Sequence, residues 1–201
     1  MAIRNRYILA AVGCVLAAVQ QLPAQNNSVE LYGGYVYTKA NPEAPLPKQN
    51  MNGWVGSVTG YVTRWFGVGG EISSVFGDVG QEVHATAPHA KEYSYLFGPQ
   101  FRFVDKAKAQ AGVKFLLGGS FAQVNLASGT TDPQIQALAA AGYTGFNQTK
   151  FAMLIAVPVD YSVSKLLAIR VEPGVYVTDF NHTKQGNFRL SVGPVFRFGA
   201  K

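Results

Sequence analysis

Through most of the chain, apolar residues fall at every second position. From Phe188 to Phe198 one parity carries Phe188, Leu190, Val192, Pro194, Phe196 and Phe198, and the other carries Arg189, Ser191, Gly193, Val195 and Arg197. Period two belongs to a β-strand, whose successive side chains point to opposite faces. The same division sets Phe151, Met153, Ile155, Val157, Val159 and Tyr161 on one face of another segment. A third carries Leu167, Ile169, Val171, Pro173, Val175 and Val177. Turn residues and this alternation predict eight strands: Val29 to Thr38, Gly53 to Thr63, Phe66 to Phe76, Tyr93 to Val104, Ala109 to Ala122, Phe151 to Tyr161, Leu167 to Val177 and Asn187 to Phe198. Each is about as long as a tilted strand needs to cross a hydrocarbon layer.

The connections alternate in length. Arg64-Trp65, Asp105 to Lys108 and Ser162 to Lys165 are tight turns, whereas Asn41 to Asn50 and two other long segments are rich in Pro, Gly, Asn and Thr. The last connection, Asn181 to Gly186, is of middling length. Short and long in alternation is the pattern of an up-and-down barrel with two unlike rims, and Greek-key sandwiches have no reason to produce it. In the longest connection, Asp132 as N-cap, Pro133 at the first helical position, an Ala-rich middle and Gly142 past the end predict a short helix.

If the apolar face meets lipid, the other face fills the lumen. That inward parity holds Glu30, Glu71, Arg102, Lys114, Asp160, Arg170, Glu172, Arg189 and Arg197, with Gly and Ser between them. Unpaired, such charges would each cost several kcal/mol, by order of magnitude, so the near balance of four acids and five bases predicts pairing. Eight strands enclose a space that side chains fill. The expectation is a lumen crossed by ion pairs, with a wet, narrow porin-like channel as the alternative. Aromatics predict two girdles: Trp65, Phe66, Phe103, Tyr161, Phe196 and Phe198 at the short-turn rim, and Tyr35, Tyr37, Trp54, Phe76, Tyr93, Phe121, Phe151 and Phe188 near the long-loop rim. Rings in two bands around aliphatics suit the two membrane–water interfaces.

The N-terminus sets the compartment. Arg4 and Arg6 precede the apolar run Tyr7 to Val19, and Gln20 to Ala24 ends in a small residue. This is the form of a cleaved signal peptide, residues 1–24, leaving residues 25–201 as one domain. Cys14, the only cysteine, lies in the apolar run, so the mature chain is expected to carry no disulfide. With Arg4 and Arg6 gone, fifteen basic residues face eleven acidic ones, too diffuse an excess for a nucleic-acid surface.

The signal segment, eight amphipathic strands, alternating connections and a last strand ending in Val195-Phe196-Arg197-Phe198 together resemble the small outer-membrane β-barrel domain of the OmpA type. The resemblance covers the whole mature chain. It implies an all-β, eight-stranded antiparallel transmembrane barrel in a bacterial outer membrane. The terminal aromatic is then what the barrel-assembly machinery reads, and three residues follow Phe198 here, a departure from that pattern. The phrase Gly98-Pro99-Gln100-Phe101-Arg102-Phe103 recurs as Gly193-Pro194-Val195-Phe196-Arg197-Phe198. Both copies are expected to end strands at the short-turn rim, with Phe toward lipid and Arg toward the lumen.

Little in the chain points to chemistry. His84, His89 and His182 fall in predicted loops without the ligand spacing of a metal site. The His-x-Ser arrangement of lipid-modifying barrel enzymes is absent, because Thr183 and Lys184 follow His182. No catalytic role, metal or cofactor is expected. The expected work is structural, or lies in binding through the outer loops. Expected partners are outer-membrane lipid and lipopolysaccharide, the latter met by Lys39, Lys48, Lys91, Lys150 and Lys184, and an extracellular ligand at the loops.

Overall fold

The computed structural model describes residues 28–41, 49–78, 89–106, 108–125, 133–142, 145–180 and 183–199. The predicted signal segment, Cys14, Lys48, His84, Asp132 and His182 lie outside them. Among the described residues the strands are β1 Ser28–Ala40, β2 Gln49–Tyr61, β3 Phe66–Asp78, β4 His89–Asp105, β5 Ala109–Asn125, β6 Gly145–Ala156, β7 Val159–Ser162, β8 Leu167–Phe180 and β9 Thr183–Phe198. All pairings are antiparallel; from β1 to β5 and from β8 to β9 each strand pairs with the next, β6 and β7 both pair with β5 and β8, and β9 returns to β1. Val29 stands opposite Phe198, Glu30 opposite Arg197 and Lys39 opposite Phe188, so the sheet is closed. Eight staves result, because β6 and β7 are two parts of one.

The interruption in that stave is Val157-Pro158. Proline has no N–H for the ladder. The Gly112 N–H still reaches the Pro158 carbonyl at 3.0 Å, and the Val157 N–H reaches the Pro173 carbonyl at 2.9 Å. Register against β5 and β8 therefore continues across the break without a slip.

The strands run farther toward the long-loop rim than the alternation predicts. β4 starts at His89 instead of Tyr93, β6 at Gly145 instead of Phe151, and β9 at Thr183 instead of Asn187. His89, expected in a loop, opens β4 opposite Asp78 and Asn125. Phe180 pairs with Thr183, so four residues of the expected Asn181 to Gly186 connection are strand. Outward positions there are polar, as at Asn147 and Thr149, and the contrast between faces fades while the backbone ladder goes on.

Two tight turns share one device. The Thr63 hydroxyl accepts from the Phe66 N–H at 2.9 Å, and the Ser164 hydroxyl accepts from the Leu167 N–H at 3.1 Å. Each satisfies backbone donors that the turn would otherwise leave unpaired. The predicted helix is present as α1, Pro133–Ala140, and Gly142 follows it with φ of 87°, the left-handed conformation that ends helices.

The faces divide by parity. Tyr32, Val36, Val55, Leu96, Leu154 and Val195 are buried inside, while Ile155, Val171, Val175 and Val192 are exposed on the outer wall. Trp65, Phe103, Tyr161 and Phe198 are exposed near the short-turn rim, and Tyr35, Trp54, Phe151 and Phe188 near the other. Phe101 packs against Trp65, Phe66 and Phe103 with centroids 5.5 to 6.4 Å apart. Tyr93 packs between Phe76 and Phe121 at 6.1 and 6.4 Å. An outer wall of aliphatics between aromatic bands is stable only against hydrocarbon. Val171→Arg in mid-wall is therefore expected to lower stability by about 2–4 kcal/mol, measured by urea unfolding in lipid vesicles; an unchanged midpoint would contradict lipid contact at that face.

Candidate functional site: the ion-paired lumen

Strand parity sends one side chain in two to the interior, and eight staves leave that interior only as wide as side chains. All nine charged residues assigned to the lumen from the sequence are there. Glu30, Glu71, Lys114, Asp160, Arg170, Glu172, Arg189 and Arg197 are buried, and the Arg102 side chain is 10% exposed. They gather into two layers.

The layer nearer the short turns is built on Glu30 and Asp160. Asp160 and Arg170 are direct cross-strand partners on β7 and β8, and the guanidinium grips the carboxylate through Nε at 2.7 Å and Nη2 at 2.9 Å. Arg170 also donates to Glu30 Oε2 at 2.7 Å, which ties β8 to β1. Arg197 reaches Asp160 Oδ2 at 2.6 Å, Glu30 Oε1 at 3.2 Å and the Ser162 hydroxyl at 2.9 Å. Arg102 donates to Glu30 Oε1 at 2.7 Å from across the barrel. The repeated phrase thus has a shared destination: its two arginines meet on one carboxylate oxygen. Its two glycines share a reason as well. A side chain on Gly98 or Gly193 would run into the carbonyl of Phe115 or Gly33.

The second layer joins Glu71 and Glu172 to Lys114 and Arg189. Lys114 Nζ lies 2.5 Å from both Glu71 Oε2 and Glu172 Oε1, and Arg189 Nη2 lies 2.7 Å from Glu71 Oε1. Because β3, β5, β8 and β9 each supply one member, the layer spans the cross-section. Tyrosine rings sit against the cations of both layers. The guanidinium of Arg102 is 4.0 Å from the Tyr61 centroid, that of Arg170 5.3 Å from Tyr32, and that of Arg189 5.7 Å from Tyr176. Such faces attract cations that have lost their water. Tyr32 in turn donates to the Ser191 hydroxyl at 2.8 Å, and Gln100 donates to the Tyr61 oxygen.

Sequence reasoning missed Glu92. It is buried on the inward face of β4, where the Ser120 hydroxyl donates to it. Glu92 lies in the stretch taken for loop, yet the alternation continues through it: Ala90, Glu92, Ser94 and Leu96 face in, and Lys91, Tyr93, Tyr95 and Phe97 face out. Among the described residues it brings the buried acids to five, against the five bases of the two layers. Lys150 departs from its assignment to the outer rim. Because β6 starts at Gly145, Lys150 sits within the ladder opposite Ser120, half-buried and at the inward parity of Ala152. Lys39 and Lys91 are exposed at outward parity, and Lys184 belongs to β9 opposite Asp179.

Beside the lower layer, Tyr61, Gln100, Pro158, Asp160 and Arg170 border a void of about 10 Å³. That is room for one water at most.

No family model matches the sequence, and no curated protein matches it. Solved structures do. The attachment invasion locus protein Ail of Yersinia pestis superposes with a TM-score of 0.57 at 16% identity, over 87% of this chain and 100% of that one. The fold is that of the small eight-stranded outer-membrane barrels. The Neisserial surface protein A, with a TM-score of 0.56 at 11% identity, covers 87% of this chain and 98% of its own. The outer-membrane protein OprG of Pseudomonas aeruginosa gives 0.55 at 10%, covering 87% and 97%. Ail has also been solved with the heparin analogue sucrose octasulfate.

Breaking a buried pair from one side leaves its partner uncompensated. Glu71→Ala is expected to cost about 3–5 kcal/mol in vesicle unfolding, whereas Lys39→Ala at the exposed rim should stay within about 0.5 kcal/mol; equal effects would place Glu71 in water.

Proposed function

We propose that this barrel is a closed outer-membrane protein whose work is done by its outer surface and long connections, in membrane integrity and attachment, and not by conduction. The observation carrying this is the stacking of two ion-paired layers across the lumen. A solute would have to separate Lys114 from Glu71 and Glu172, and Arg170 from Asp160 and Glu30. Each separation strips partners from charges in a low-dielectric space.

Several features support a surface role. The long connections share one rim, which in barrels of this type faces outward. Lys39 and Lys91 stand exposed just beyond the aromatics of that rim, positioned to meet phosphates of lipopolysaccharide. The complex of Ail, a barrel of similar fold, with the heparin analogue sucrose octasulfate supports an anionic partner for this one. No catalytic role is proposed.

Single-channel recording in a planar bilayer tests the closed lumen, with folding checked by the heat-dependent gel shift. The folded protein is expected to be silent, and Glu71→Ala/Glu172→Ala to open discrete events. Steady openings of the unaltered protein would overturn the proposal in favour of a narrow channel.

A further inference from the structure

The outer wall is not filled evenly. Outward positions from Phe151 to Tyr161, Leu167 to Val177 and Phe188 to Phe198 carry no glycine, whereas β1, β2 and β3 place Gly33, Gly56, Gly60 and Gly70 at outward parity. The registers set these side by side: Gly33 pairs with Gly56, Val58 with Gly70 and Gly60 with Val68. The missing side chains leave a bay of about 890 Å³, walled by Leu31, Val58, Ile72, Tyr95, Phe97 and Leu117. This volume lies within the range of small-molecule clefts.

Barrel packing does not demand these glycines. A Cβ on Gly60 would meet nothing within 4 Å, and on Gly33, Gly56 or Gly70 nothing nearer than 3.8 Å. Inward glycines such as Gly98 and Gly193 are the opposite case, since a side chain there would strike backbone.

The two ends of the bay differ. Toward the short turns, Phe66, Phe101 and Phe115 cluster beyond it, with ring centroids 5.5 and 6.4 Å apart. Toward the long loops, the same two strands that carry Gly33 and Gly56 present a polar ladder. Tyr35 donates to Asn52, and Tyr37 donates to Asn50 at 2.8 Å, with exposed Lys39 opposite Asn50. Hydrocarbon is accommodated below, and hydroxyls, amides and an ammonium group stand above.

We propose that this bay seats one acyl chain of an outer-leaflet glycolipid, whose sugar-phosphate head lies against the Tyr35, Tyr37, Asn50, Asn52 and Lys39 ladder. The proposal rests on the membrane-spanning reading with the long-loop rim outward, and is independent of whether the lumen conducts. Only hydrocarbon surrounds this depth of the wall, and an acyl chain fills a hollow that bulk lipid bridges poorly. Lys39 complements the charge of a phosphate. A second copy fits less well, because a two-fold contact centred on the bay sets hollow against hollow and leaves the space unfilled.

Native mass spectrometry of protein extracted from outer membranes in mild detergent tests this. The unaltered barrel is expected to retain one glycolipid. Gly56→Leu/Gly70→Leu, which fills the bay, should lower that occupancy about tenfold with the gel shift and the bilayer silence unchanged, and Lys39→Glu should lower it less. Gly60→Leu, where nothing obstructs a side chain, is the second filling variant should the pair fail to fold. Equal retention by filled and unfilled barrels would overturn the proposal. So would retention of phospholipid in place of glycolipid, or a dimer that filling the bay dissociates.

Discussion

A strand in hydrocarbon has no water to satisfy its N–H and C=O groups, so every backbone bond must be made within the protein. Here that condition is met by one pairing, β1 against β9, which turns an open sheet into a cylinder. Closure removes the edges, and it also fixes the interior width. Eight staves enclose a space of side-chain dimensions, and whatever the inward parity carries must pack there. The sequence places charges on that parity, so closure forces them together.

The two layers follow from that compulsion. Asp160 with Arg170 and Glu30 with Arg197 are cross-strand neighbours, paired by register alone. Arg102 meeting Glu30, and Lys114 meeting Glu71, join strands that are not adjacent and exist only because the cylinder is narrow. Such pairs hold the barrel's cross-section in one shape: removing a partner strands a charge, while keeping both costs less than any rearrangement that exposes one. On the proposed reading, an interior crossed by ion pairs leaves the rims, the long connections and the outer wall as the places where this molecule meets others.

How far the sequence reveals this depends on the contrast between faces. Along β8 and the end of β9 the outward residues are apolar and the inward ones mostly small or charged, so these strands can be read residue by residue. Beyond the band the outward residues turn polar like many of the inward ones, and the contrast between faces fades. For that reason the alternation alone begins β4, β6 and β9 too late and leaves Glu92 and Lys150 outside the strands. Parity names the residues that share the lumen and is silent on who meets whom, since that depends on the stagger of the closed sheet. The convergence of Arg102 and Arg197 on Glu30 is legible only as a repeat of Gly-Pro-x-Phe-Arg-Phe. The outward glycines were equally visible, but a glycine in a sequence does not say whether the space beside it is occupied.

In the lumen, buried charges act as bonded pairs. A double-mutant cycle on Asp160 and Arg170, using Asp160→Ala, Arg170→Met and the double variant in vesicle unfolding, measures this directly. A coupling of about 2–3 kcal/mol, at the upper end for contacting residues, is predicted. Single effects that add to within about 0.5 kcal/mol would mean that each group is solvated on its own, and would contradict a filled lumen.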